Sequence, residues 1–191
     1  MTLAPSIPRR PITVEEFFQM GSAGIFRDDE RIELIDGEIV EMSPIGNEHL
    51  WIVTLLVNLI SRNVNSNRLV QAQNPIRLQS ETALQPDIAV LSSYPQSIED
   101  SPASPKDILL LIEVSDTSLR FDQRVKVPIY AESGIAEIWI VDVAARTVIV
   151  YRDLAHQSYR TMTTHKMDDK LTPTLIPELT LDLRQIFNPG A

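Results

Sequence analysis

The spacing of apolar and polar residues changes character several times along the chain, and each change marks an element. Thr13, Val14, Glu15 and Glu16 fit a capping box, so a short helix is expected to carry Phe17, Phe18 and Met20 before Gly21 ends it. Residues 31–35 and 38–42 alternate as strands around Asp36-Gly37, the dipeptide of a type I′ hairpin. Counting outward from that turn pairs Ile35 with Glu38 and Glu33 with Val40. Glu33 then shares a face with Ile35, Val40 and Met42, and is either a buried carboxylate or an edge acid reaching water. From Asn47, read as an N-cap, to about Asn63 the chain reads as a helix that is apolar on nearly every face and therefore covered on two sides.

Short strands follow at Leu69 to Gln73, at Ile76 to Leu78 and from Pro86 through Leu91, and the Ser- and Pro-rich segment from Ser92 to Lys106 reads as a loop. Residues 108–114 form a continuous apolar run broken by Glu113, the mark of a strand covered on both faces. A helical pattern from about Thr117 to Glu132 ends at Gly134, and a strand occupies residues 137–142. Strand, helix and strand in this order predict a parallel βαβ unit. Pro128 inside the helix predicts a kink, or two short helices meeting near Lys126. Thr147 to Arg152 should pair back on the preceding strand, Ser158 to Thr164 should extend it, and the tail reads as a short strand at residues 179–181 and a last helical turn. The fold class is α/β with a mixed central sheet flanked by helices, an N-terminal hairpin and a C-terminal antiparallel extension. The chain is read as a single domain over residues 1–191, with 1–12 a flexible lead, 13–152 the core and 153–191 the extension.

Composition narrows the function. In 191 residues there are 17 Lys and Arg against 26 Asp and Glu, a formal charge of −9, which disfavours a protein that grips a polyanion by bulk charge. There is no cysteine, so thiolate zinc sites, disulfides and a Cys nucleophile are excluded, and a cytoplasmic protein is expected. No stretch approaches the roughly 20 apolar residues of a membrane span, and no membrane partner is expected. With 6 Gly there is no phosphate-cradling GxGxxG or P-loop, and the lack of any recognisable substrate or cofactor loop argues against a small-molecule enzyme that uses buried carboxylates as acid and base.

Two acids interrupt apolar strands: Asp87 at the mouth of one and Glu113 inside the most apolar run. An unpaired buried carboxylate costs several kcal/mol, so each needs a cation, a donor or a metal. Mg²⁺ (or Mn²⁺) suits such a pair, because it takes one or two carboxylates and keeps waters for substrate oxygens. A cation lies at the right depth. Glu113 to Thr117 spans about 13 Å of extended chain at roughly 3.3 Å per residue, and Thr117 to Lys126 returns about 14 Å of helix at roughly 1.5 Å per residue. Asp122 and Tyr130 lie on the face of Lys126. The alternative is a surface Asp122–Lys126 ion pair, with Glu113 satisfied by a nearby Ser or backbone. His49 lies in the first turn of its helix, where the dipole favours neutral imidazole, and is either structural or functional.

Residues 32–38, Pro44 to His49, Pro86-Asp87-Ile88-Ala89-Val90, residues 112–118, the Asp122, Lys126, Tyr130 series and Gly134 to Asp142 together resemble the Uma2 family of the PD-(D/E)XK nuclease superfamily, labelled restriction-endonuclease-like. The resemblance runs in register from about Thr13 to Arg152. It implies that Asp87 is the PD aspartate and Glu113 the (D/E), both metal ligands joined by the carbonyl of Val114. Ser115 stands where the general pattern has Lys, and the resemblance implies that Lys126 takes that lysine's place. Glu33 and His49 match family positions of less defined role, and Gln73 or Gln71 is a further candidate contact to substrate or to the lysine. The function implied is a Mg²⁺-dependent endonuclease acting on phosphodiester bonds in DNA. The alternative is a catalytically silent nuclease-fold module that binds a protein partner or regulates. A patch of Arg62, Arg68, Arg77, Arg120 and Arg124 is expected to face the site and offset the acidic balance, and the long hairpins are compatible with a homodimer.

Overall fold

The structure is a computed structural model that describes residues 9–27, 29–94 and 103–188. Helix α1 (Val14–Ser22) opens with the expected capping box: Thr13 accepts from the Glu16 N–H, and Glu16 accepts from the Thr13 N–H. Strands β1 (Ile32–Ile35) and β2 (Glu38–Glu41) pair in the expected register, with Asp36 and Gly37 both at positive φ, as a type I′ turn requires. Gly37 has a second reason to be glycine, since a Cβ there would run into Pro11. Helix α2 (Asn47–Asn63) is capped by Gly46 rather than Asn47, and no side chain caps it. Gly46 lies against Asp116, whose carboxylate a Cβ would meet at 3.0 Å.

Strands β3 (Leu69–Ala72), β4 (Ile76–Gln79), β5 (Thr82–Leu84) and β6 (Ile88–Leu91) follow, then a 3-10 turn (Pro105–Asp107) and β7 (Ile108–Ser115). The strand expected from Pro86 begins at Ile88. The expected loop at 92–106 lies partly outside the described residues and ends in the 3-10 turn. Helix α3 (Leu119–Phe121), a π turn (Asp122–Lys126) and helix α4 (Val127–Glu132) replace a continuous helix. Pro128 sits in the first turn of α4, where its missing N–H is harmless, and the π turn absorbs the break at Lys126 where the proline predicted it. Strands β8 (Ile138–Asp142), β9 (Thr147–Ala155) and β10 (Ser158–Lys166), the pair β11 (Lys170–Leu171) and β12 (Leu181–Asp182), and helix α5 (Arg184–Phe187) complete the order.

The central sheet runs β10-β9-β8-β7-β6-β3, and β7 and β8 are its parallel pair. A second sheet, β2-β1-β5-β4, carries the N-terminal hairpin. Alternation along β7 sends its side chains to two cores. Leu110, Ile112 and Val114 pack with α2 and the C-terminal segment, while Leu111 packs with α4 and the inner face of the second sheet. Helix α1 covers the outer face of that sheet through Val14 and Phe17. Ile52, Val53, Leu56 and Ile60 of α2 are buried, yet Leu50 and Trp51 are 42% and 58% exposed. The expectation of full cover fails there because the second sheet lies on the opposite face of the central one. Glu33 is no edge acid either, since β1 lies between β2 and β5 and the residue is buried.

Candidate active site

The site lies where β6 stops short of the end of β7. The last β6–β7 pair is Ile88 with Ile112, so the backbone of Val114 faces the strand edge beyond it. The Val114 N–H donates to Oδ2 of Asp87 at 2.8 Å. Leu111 and Ser115 use their backbones toward β8, so strand alternation turns the Val114 carbonyl to the same side as Asp87. His49 Nε2 lies 3.0 Å from the other oxygen of Asp87, Oδ1. Gln73, at positive φ, brings its Nε2 to 3.4 Å of that Oδ1, a long contact.

Glu113 projects from β7 into the core that α4 covers. Its Oε1 accepts from Lys126 Nζ at 3.3 Å and from the Tyr130 hydroxyl at 2.5 Å. Lys126 also donates to Oε1 of Glu33 at 3.0 Å, and that oxygen accepts the Gln85 N–H at 2.9 Å. One ammonium thus bridges carboxylates from two sheets, with all three side chains at most 5% exposed. Asp122 is buried too, but makes no surface pair with Lys126. Its Oδ2 accepts the hydroxyls of Ser115 and Ser118, each at 2.6 Å. Ser115 therefore clips the start of the π turn that carries Lys126.

Burial pushes the Glu113 carboxyl up to about 8; Lys126 opposes the rise, and Asp87, Asp122 and Glu33 add to it. Burial works against charge on Lys126, but Glu113, Glu33 and Asp122 together outweigh it and hold the ammonium above its ordinary value. Tyr130 is raised well above the usual phenol range by burial and by the same carboxylates, so it stays a donor. Glu33 Oε2, His49 Nδ1 and Gln71 Oε1 are buried without a hydrogen-bond partner among the described residues.

Asp87, Glu113, Val114, Lys126 and His49 line one cleft of about 440 Å³. Its wall carries five acids (Glu41, Asp87, Glu113, Asp116 and Asp122) but among the described residues only Arg31 and Lys126 as Lys or Arg. The expected arginine patch does not face it. Arg68 is paired with Glu178 and Arg77 with Glu15, while Arg62, Arg120 and Arg124 are absent from the lining. No group of three or more His, Asp and Glu side chains poised for a metal occurs among the described residues. The oxygen donors that line the cleft beside Lys126 are the carboxylates of Asp87 and Glu113 and the backbone carbonyl of Val114. All are hard oxygens, and their small number suits Mg²⁺, which keeps several waters, better than Ca²⁺ or zinc.

Sequence reasoning grouped Asp87, Glu113 and Lys126, left Glu33 and His49 open, and did not include Gln85 or the Ser115–Asp122–Ser118 clip. Gln85 acts through its backbone, which no side-chain pattern reveals. Of the two serines only Ser118 had a local signal, standing four residues before Asp122, one helical turn away. Neither Gln71 nor Gln73 hydrogen-bonds Lys126.

The Uma2 family, described as "Putative restriction endonuclease", matches residues 14–184. The chain belongs to this family. Four solved chains match it. One is the crystal structure, at 1.96 Å resolution, titled "a putative nuclease belonging to DUF820" from Anabaena variabilis ATCC 29413. It superposes with a TM-score of 0.69 over 93% of this chain and 98% of that one, at 18% identity, a likeness that shows the fold. No curated protein matches. No helix among the described residues of this Uma2 protein is long and apolar enough to cross a membrane.

Proposed function

We propose that this Uma2 protein is a divalent-metal-dependent endonuclease that hydrolyses phosphodiester bonds in DNA, with Asp87, Glu113 and Lys126 as its catalytic residues. The observation that carries the reading is the meeting of both strand-borne carboxylates and a buried lysine in one cleft, with Lys126 3.3 Å from Glu113. Asp87, Glu113 and the carbonyl of Val114 would hold Mg²⁺ or Mn²⁺. Bound there, the ion would acidify a water and stabilise charge on the phosphate.

The chain's own groups prepare that chemistry. The Val114 N–H and His49 Nε2 fix the two oxygens of Asp87, as outer partners fix a ligating carboxylate. Tyr130 and Lys126 both take Oε1 of Glu113, which leaves Oε2 for the cleft. Glu33 holds Lys126 in place through Oε1, and the Gln85 N–H fixes Glu33 in turn. Lys126 is the positioned donor that aligns the attacking water and meets negative charge as it develops on the phosphate. Low polarity around these groups strengthens each contact and removes the need to reorganise during reaction.

The test is incubation with Mg²⁺ or Mn²⁺ and a panel of single- and double-stranded DNA. Cleavage of at least one substrate is expected, and Asp87→Ala should abolish it. A panel left uncut, or equal cutting by the variant, overturns the enzyme reading. The acid-rich cleft wall favours one second reading, a silent nuclease-fold module that binds a protein or regulates. That module would leave every substrate intact.

A further inference from the structure

The edges of the two large sheets are unequal. Strands β2, β4 and β3 end their sheets with four residues each, short enough to blunt strand addition. The remaining edge, β10, is nine residues long, contains no proline and pairs with no strand on its outer side among the described residues. Alternate N–H and C=O groups along it point outward. At its centre stands Met162, 62% exposed and flanked along the strand by threonines. An exposed edge with an apolar centre is a template for another strand.

The sequence of the edge specifies which strand. We infer that β10 is the self-association surface of this protein, pairing antiparallel with β10 of a second copy about a two-fold axis at Met162. In that register all nine residues find a mate. The outer row (Ser158, Arg160, Met162, Thr164, Lys166) sets Ser158 opposite Lys166, Arg160 opposite Thr164 and Met162 opposite itself. The inner row sets Tyr159 opposite His165 and Thr161 opposite Thr163, a favourable cross-strand pair. No like charges stand opposite each other. Moving the axis to Thr163 puts Arg160 against Lys166, and moving it to Arg160 puts that residue against itself; both are penalised. An axis at Thr161 escapes the clash but shortens the pairing to residues 158–164. The occupant is thus a second copy, joined in an isologous contact that extends the central sheet through both molecules.

The native absence of cysteine makes the test direct. Sedimentation of the full chain from about 1 μM to about 1 mM, the range in which a modest interface dissociates, should show a concentration-dependent dimer. Met162→Lys, which puts two ammonium groups together on the axis at a solvent-exposed position, should remain monomeric with an unchanged circular dichroism spectrum. Met162→Cys should form a covalent dimer under copper–phenanthroline oxidation, whereas Ser158→Cys, whose mate is Lys166, should not. A wild type that is monomeric throughout, a dimer that survives Met162→Lys, or equal cross-linking of both cysteine variants overturns the inference. None of these readouts involves cleavage, so this inference and the nuclease reading fail separately.

Discussion

Replacing Lys126 by Met tests the centre of the site without introducing a new charge. The ammonium makes two ion contacts, 3.0 Å to Glu33 and 3.3 Å to Glu113, with all three side chains buried. At an effective dielectric near 20 each contact is worth roughly 5 kcal/mol of gross attraction, much of it offset by the cost of burying the ammonium. Removing the lysine leaves two facing carboxylates without that offset, and losses of about 3–5 kcal/mol are usual for a buried pair so broken. Glu113, already drawn up to about 8 by burial, can take a proton, which places the expected loss near 3 kcal/mol. For a chain of this size that is a fall in Tm of roughly 6–12 °C. Urea denaturation and a thermal scan at pH 7 measure it. Glu33→Gln in the Lys126→Met background removes one stranded charge and should recover a good part of the loss, while leaving cleavage as low as in the single variant. A loss under about 1 kcal/mol, the value of an exposed pair, or no recovery in the double variant, would refute the picture of a buried bridging lysine.

Three further outcomes follow from the same geometry. Glu113→Gln should lower cleavage by at least about 100-fold, the scale for losing an electrostatic group of the site, with little loss of fold, because burial already works against charge at this position and a carboxamide keeps the oxygen that accepts from Lys126 and Tyr130. His49→Ala should weaken Mg²⁺ activation by about 10- to 100-fold, the usual cost of losing an outer partner of a ligating carboxylate, seen as a higher metal concentration for half-maximal cutting. The third concerns acid stability at helix α1, outside the cleft lining. Arg10 hydrogen-bonds the Glu16 carboxylate and the Thr13 N–H adds to this, holding Glu16 down to about 2 from 4.5. A depressed carboxyl adds stability above its unfolded value and loses it as pH falls through the folded one. Between pH 5 and pH 2 the wild type should therefore lose more Tm than Glu16→Gln, and parallel curves would contradict the Arg10–Glu16 contact.

What the sequence determined is what neighbouring residues decide among themselves. Asp36-Gly37 set the hairpin and its register, Thr13 and Glu16 set the start of α1, and Pro128 set the break at Lys126. The acid inside the most apolar run marked a central strand. These signals are local because turn dihedrals, caps and a proline's missing N–H act within a few residues. Asp87 and Glu113 were legible for a related reason: a charge in a buried strand must be answered by something. The tertiary structure alone decided which group answers. Lys126 meets Glu33 across 93 positions and two sheets, a contact fixed by how the second sheet stacks on the first. The same stacking left Trp51 in water. It also gave the three-residue β5, too short to show a period, its place beside β1. A charge pair separated so far in sequence has no local signature, because the energy that selects it exists only once both sheets are packed and water is gone from between them.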